Sequence, residues 1–434
     1  MSRERTERVY DFLFGGEEAR ACETIPDEAC REVPGNALKN VTSGAFSKLA
    51  EQLAHPGLTM PWLLSSFGVP PAISALLLPL KDAGSLAPQL LLAAQVRATE
   101  KRNRLWYRVA VVQALVLVAI AAALLVLPPI GAGIVAAALF LGFGVSSGVG
   151  SLSFKDTLAK TIPKPRRGAL LGLRASIGGA AALVAGAVLG LTGGAEGGTV
   201  TFLILVLGAA VLWIVSGLFF RAIQEYPGAT AGGRNPLDSV KEAFGLLREA
   251  PNIRRFIAAR SLNLSIALLQ PVYVLIAAER LGFSFSGLGT LLIASAGAAL
   301  LSGWIWGRLT DRSARLALVL APLMGIVVGA LFFVLPVIGG VAAGAVGHGV
   351  VLFLHNIAYA GARIGRKTYL VNASTDTDRA LLSAAANTTI GVATLIMSGV
   401  VSLVTATAGA AVTAIVLLVL LLGGGLLAMR LEEV

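Results

Sequence analysis

Charge is what this sequence has least of. Only 14% of its 434 residues are Asp, Glu, Lys or Arg, against ~25% in soluble domains. That deficit excludes an ordinary water-soluble globular chain. Aromatic residues make up 6%, histidines number three and cysteines two, Cys22 and Cys30. Two thiolates alone seldom make a closed metal site, and on the cytoplasmic side, where the orientation below puts them, reduced and unconnected thiols are expected. No G-x-x-x-x-G-K-[ST] loop occurs, so an internal nucleotide-hydrolysing motor is not expected; neither is an enzymatic activity, a cofactor or a metal. The first 40 residues lack a long apolar core, which argues against a cleaved secretory signal there.

What the chain has instead is apolar surface and small residues. It is 56% hydrophobic, with 50 glycines and a mean hydropathy of +0.79. Small residues let helices approach closely in lipid, so an all-α integral membrane protein is expected. A span needs ~20 mainly apolar residues. Twelve such stretches are present, at about 43–67, 71–94, 105–127, 130–152, 169–190, 200–220, 256–278, 284–306, 316–335, 339–362, 380–403 and 408–428. Their uniform apolarity does not alternate as barrel strands do.

Lys and Arg orient the spans. With the amino terminus inside, the five inner loops hold 23 basic residues and the outer loops hold one, Arg280. Both termini are therefore expected in the cytoplasm, with the protein in the cytoplasmic (inner) membrane. This one-sided charge is explained by topology, so the net charge of +11 does not imply nucleic-acid binding. The spacing divides the chain into a cytoplasmic extension (1–40), a six-helix bundle (41–220), a cytoplasmic linker (221–255) and a second six-helix bundle (256–434). Asn235 before Pro236 is a good helix start, and the apolar spacing after it predicts an amphipathic linker helix. The halves resemble each other weakly. The segment from Lys155 lies on the segment from Lys367 without gaps, matching Lys155 to Lys367, Leu158 to Leu370, Arg167 to Arg379, Leu170 to Leu382 and Gly179 to Gly391. Parallel repeats of this kind build transporters.

After the eighth span comes GRLTDRSAR, Gly307 to Arg315. It resembles the G-x-x-x-D-R-x-x-R loop signature of the major facilitator superfamily. That resemblance implies the family's fold, two six-helix bundles around a central cavity, over about residues 40–430. It also implies a cytoplasmic gate of Gly307, Asp311, Arg312 and Arg315, in which Asp311 pairs with arginines across the face and Gly307 lets neighbouring helices approach. The first-half copy, TEKRNR, is degraded; Glu100 and Lys101 stand where its acid and base belong, and Val96 replaces the glycine. The fifth span has no G-P-x-x-G-G motif, which lowers the case for a drug/proton antiporter.

Ionisable groups inside a span usually mark a pathway. Lys81 and Asp82 fall near the centre of the second span, and His55, before Pro56, falls at similar depth in the first. A coupled cluster of His55, Lys81 and Asp82 is expected, in which Lys81 and Asp82 need not pair with each other. His348 is placed near mid-depth in the tenth span and His355 closer to the cytoplasm; either histidine, or Asp82, suits a proton relay. Asn263, Gln270 and Asn387 supply uncharged cavity groups or interhelical hydrogen bonds. Lys48 with Glu51 reads as a local pair, and Arg174 and Arg260 as structural cations at span ends. The expected function is secondary transport of a small organic solute, proton-coupled, by a monomer in the lipid bilayer. The competing class is a non-transporting protein on the same scaffold, an assembly factor or a receptor for a pigment, lipid or partner subunit.

Overall fold

The computed structural model describes residues 3–14, 27–89, 91–92, 96, 98–192, 199–227, 242, 244–248, 250–374 and 379–434. Among these residues there is no strand. Nine helices among the described residues are long and apolar enough to cross a membrane. Two broken helices and one doubled helix account for the difference from twelve spans. The first span is Val33–Leu53 followed by Thr59–Ser66. Pro56 has no N–H for the carbonyl of Gln52, and the Thr59 hydroxyl donates to that carbonyl instead, at 2.7 Å. The second span is Pro71–Ser74 followed by Leu77–Leu86. Here Pro79 leaves the carbonyl of Ala75 without its helical donor, and the chain turns at 75–76. The final helix, Arg379–Ala428, has a non-helical residue at Gly409 (φ 84°). Eight residues of straight helix span ~12 Å, yet the hydroxyls of Thr405 and Thr413 lie 3.0 Å apart. The chain therefore folds back at Gly409, and this helix holds the eleventh and twelfth spans.

The third to sixth spans are Arg102–Val126, Pro129–Thr161, Lys164–Thr192 and Thr199–Arg221. The seventh is Pro251–Asn263 continued by Ser265–Arg280; the eighth to tenth are Phe285–Arg312, Ala314–Ile338 and Ala345–Asn372. Between the halves, the fifth span packs on the eighth and the second on the eleventh. A shift of six spans exchanges these two pairings, as an internal repeat requires.

Small residues set the closest approaches. A Cβ on Gly144 of the fourth span would collide with the backbone carbonyl of Lys81. On Gly289 of the eighth it would lie 2.5 Å from the Gly190 nitrogen of the fifth. These contacts give the dispersion energy that lipid-embedded helices need, since burial from lipid supplies little hydrophobic drive.

Several boundaries differ from expectation. The first helix starts at Val33, ten residues before the apolar stretch, because the polar Asn36 and Asn40 are buried against other spans. Asn36 exchanges hydrogen bonds with the Gln224 backbone (2.8 and 3.0 Å). A helix at Arg3–Phe14 lays Tyr10 and Phe14 against Val33, Leu158 and Leu170. Cys30, expected to be a reduced thiol, is disulfide-bonded; it is packed against that same apolar cluster instead of standing free in solvent. Cys22 lies outside the described residues, as do residues 228–241, where the linker helix was expected to start.

Candidate functional site

A cavity of about 590 Å³ lies between the halves. The second and fourth spans supply Lys81, Ser85, Ser147 and Lys155; the seventh, tenth and eleventh supply Arg260, Arg366, Lys367 and Asn387. Gly144 and Gly148 let the fourth span lie on the backbone of Lys81 and Ser85, and Lys81 lines the hollow. At the end nearer the chain termini, the lining residues Lys155, Lys367 and Val371 are exposed. At the opposite end a buried cluster joins both halves: Trp62 of the first span, Leu189 of the fifth, Ala277 of the seventh, Leu288 of the eighth and Leu352 of the tenth. Trp62 also meets the ring of Phe283 edge-on, with centroids 6.2 Å apart. The two halves thus enclose a hollow shut at one end by apolar packing.

Lys81 and Asp82 pair directly, at 3.4 Å, with side chains 29% exposed. Pairing between neighbours was not required by the helix; here the two side chains lean together where the helix backbone is pressed on the fourth span. Asp82 also acts electrostatically on Arg366 across the hollow. His55 sits in the break of the first span, and its Nδ1 accepts from the Gly57 N–H at 3.1 Å. It interacts electrostatically with Lys81, Asp82 and Glu51 but does not line the cavity. The break brings Gly57 against Leu78 and Gln270, so it touches the second half.

Of the uncharged groups, Asn387 lines the cavity and accepts from Arg260 Nη1 at 3.0 Å. Asn263 lies in a small adjoining pocket with Arg260, Tyr359 and Arg366. Gln270 is buried away from both. His355 is fully buried, edge-on to Tyr273. His348 is not at mid-depth. The tenth helix begins at Ala345, because Gly344 is extended. His348 is consequently in the first turn, bonded to the Gly344 carbonyl at 2.9 Å and 3.5 Å from Arg280.

A second hollow of about 310 Å³ in the first half shares Ser147 and Ser151 with the central one. It is lined by Lys48 and Glu51, paired at 2.6 Å, and by Arg174. Arg174 donates to the Asn40 carbonyl at 2.6 Å and stands over Phe154.

The gate motif is arranged differently from what the resemblance implies. Asp311 and Arg312 are exposed and neither pairs among the described residues. Arg315 binds the carboxyl-terminal tail, through Glu433 at 2.9 Å and the Leu431 carbonyl at 3.1 Å. A Cβ on Gly307 would meet nothing within 4 Å, so no helix approaches there. In the first half, Glu100 is exposed and only its carbonyl is engaged, by Lys160 at 3.2 Å; Lys101 precedes the third helix without a cap contact. The paired acids on this face of the first half are elsewhere. Arg102 pairs with Asp156 at 2.8 Å. Glu225, whose side chain is fully buried, pairs with Lys160 at 3.1 Å and accepts the Asn103 N–H at 2.6 Å.

Sequence reasoning passed over Lys155, Arg366 and Lys367, because topology already accounted for basic loop residues, and took Arg260 as structural. One signal was available: Lys155 and Lys367 are matched in the internal repeat, and both line the cavity.

Twelve spans in two halves, interlocked through the second with the eleventh and the fifth with the eighth, are the fold of the major facilitator transporters. Among solved structures, the nucleoside transporter NupG is similar over 91% of this chain and 99% of its own, with a TM-score of 0.69 and 13% identity. The xylose transporter XylE from E. coli in an inward-open conformation matches over 93% of this chain and 97% of its own, at 0.65 and 12%. A POT family transporter in complex with a thioalcohol-conjugated peptide matches over 90% and 95%, at 0.65 and 13%. No protein-family model and no curated sequence matches the chain.

Proposed function

We propose that this protein is a secondary transporter that carries a small organic solute across the cytoplasmic membrane by alternating access. The observation that supports it best is the hollow between the halves, closed by apolar packing at one end and lined by ionic groups of both halves. A binding site shared by two rigid bundles is what rocking needs. The similar folds belong to nucleoside, sugar and peptide transporters, which agrees with a small polar cargo. The one-sided Lys and Arg of the loops support a cytoplasmic location for both termini, and with it an inward-facing state.

Protons are the proposed coupling ion. Asp82, paired with Lys81 and within electrostatic reach of Arg366, is a carboxylate whose protonation would free two cations at once. His355, buried in the second half, is a second candidate proton acceptor within the bundle. Purified protein in vesicles should accumulate its solute in response to an imposed pH gradient, and Asp82→Asn should abolish accumulation while leaving exchange intact. Flux indifferent to the gradient in the native protein would exclude proton coupling.

A further inference from the structure

The walls of the central cavity carry charge of one sign. Lys81, Lys155, Arg260, Arg366 and Lys367 line it, and among the described residues no carboxylate does. Asp82, beside Lys81, offsets one of these charges and leaves a surplus of cations. The side chains of Lys155, Arg366 and Lys367 make no hydrogen bond or ion pair among the described residues. Arg260 is 6% exposed. Its Nη1 reaches Asn387, but its Nε has no partner. A buried guanidinium with a free donor and only an amide for company is costly unless something supplies the missing charge.

The internal repeat shows where a neutralising acid is absent. The spacing that lays Lys155 on Lys367 also lays Lys48 on Arg260 and Glu51 on Asn263. In the first half Lys48 is paired with Glu51 at 2.6 Å. In the second half the corresponding place holds an amide, and Arg260 keeps its charge for the hollow. Topology explains basic residues at span ends, but not a buried arginine within the seventh span facing three more cations. A cleft with walls of one sign concentrates ions of the other.

We infer that the cavity binds a small organic polyanion, with carboxylate or phosphate groups held between Lys155 of the first half and Arg260, Arg366 and Lys367 of the second. This rests on the transport reading and narrows its substrate class. Guanidinium groups suit both anions because their paired N–H donors match carboxylate and phosphate oxygens. A ligand with two or more charges bridges the halves. Unliganded, the cations repel one another and hold the hollow open at the end bearing Lys155 and Lys367; liganded, that repulsion becomes attraction and favours closure.

The test uses the full chain. Thermal stability in detergent is measured with citrate, glycerol 3-phosphate, xylose or choline at matched ionic strength, and exchange of radiolabelled citrate and glycerol 3-phosphate is measured in proteoliposomes. Citrate or glycerol 3-phosphate should raise the melting temperature, with affinity falling as salt rises. The stronger of the two assigns carboxylate or phosphate chemistry. Lys367→Gln, at an exposed position that should fold normally, should weaken binding at least tenfold, and Lys367→Arg should retain it. Arg260→Gln should do the same or more. Stabilisation by xylose or choline with none by either anion, or by no probe at all, overturns the inference. So does anion binding unaffected by Lys367→Gln and by Arg260→Gln. Anion binding without exchange in proteoliposomes would uphold the anion site and sink the transport reading, so the two fail separately.

Discussion

At the residue scale, what matters is which charges have partners. Lys81 and Asp82 have each other and remain partly exposed to the hollow, so their mutual attraction is screened. Asp82→Asn should therefore cost less than ~1 kcal/mol of stability, seen as a small shift in melting temperature, while proton-driven flux is lost. Glu225 is the opposite case. Its side chain has no exposure, and it satisfies both Lys160 and the Asn103 amide. Removing one partner of such a pair leaves the other charge desolvated. Glu225→Ala should destabilise by ~3 kcal/mol, measurable as a drop in thermal or denaturant stability, and Glu225→Gln by less, since its amide oxygen still accepts the Asn103 N–H. The position of Lys81 was legible in the sequence because a charge in an apolar run demands explanation. Those of Lys155 and Lys367 were marked only by their match in the internal repeat, because basic residues at the ends of spans already had a sufficient cause.

At the element scale, prolines and glycines decide where helices break and how close they come. Pro56 and Pro79 each remove one helical donor, and both breaks fall in the two spans that carry His55, Lys81 and Asp82. Pro56→Ala should restore the donor to Gln52 and compete with the Thr59 hydroxyl; circular dichroism should change little, while flux falls because the loop holding Gly57 against Gln270 is drawn into a helix. Gly144 is the tighter constraint. A methyl there meets the Lys81 backbone carbonyl, so Gly144→Ala should push the second and fourth spans apart and cost ~1–3 kcal/mol, as overpacking does. A thermal stability measurement decides it, and an unchanged melting temperature would mean that the two helices do not touch there. The glycines were visible as a composition bias. Which of them meet a neighbour was not, because a close approach belongs to two helices and the sequence displays one at a time.

At the scale of the whole molecule, the two halves touch through the distal apolar cluster and stand apart around the cationic hollow. If they rock, Trp62 and Phe283 must separate in each cycle. A variant carrying Trp62→Cys and Phe283→Cys, with the native cysteines replaced, should lose flux when the two thiols are joined by a cleavable bifunctional reagent and regain it on cleavage; flux that persists with the crosslink closed would exclude opening at that end. The sequence by itself determined that this chain spans a membrane with twelve apolar helices in two related halves, since hydrophobic length and the one-sided placement of Lys and Arg are local properties that any stretch of chain carries alone. Only the tertiary structure decided which charges face one another. Lys155, Arg260, Arg366 and Lys367 come from three helices far apart in the chain, and the ion pairs that engage Arg102 and Lys160 are made by side chains whose proximity depends on how those helices pack.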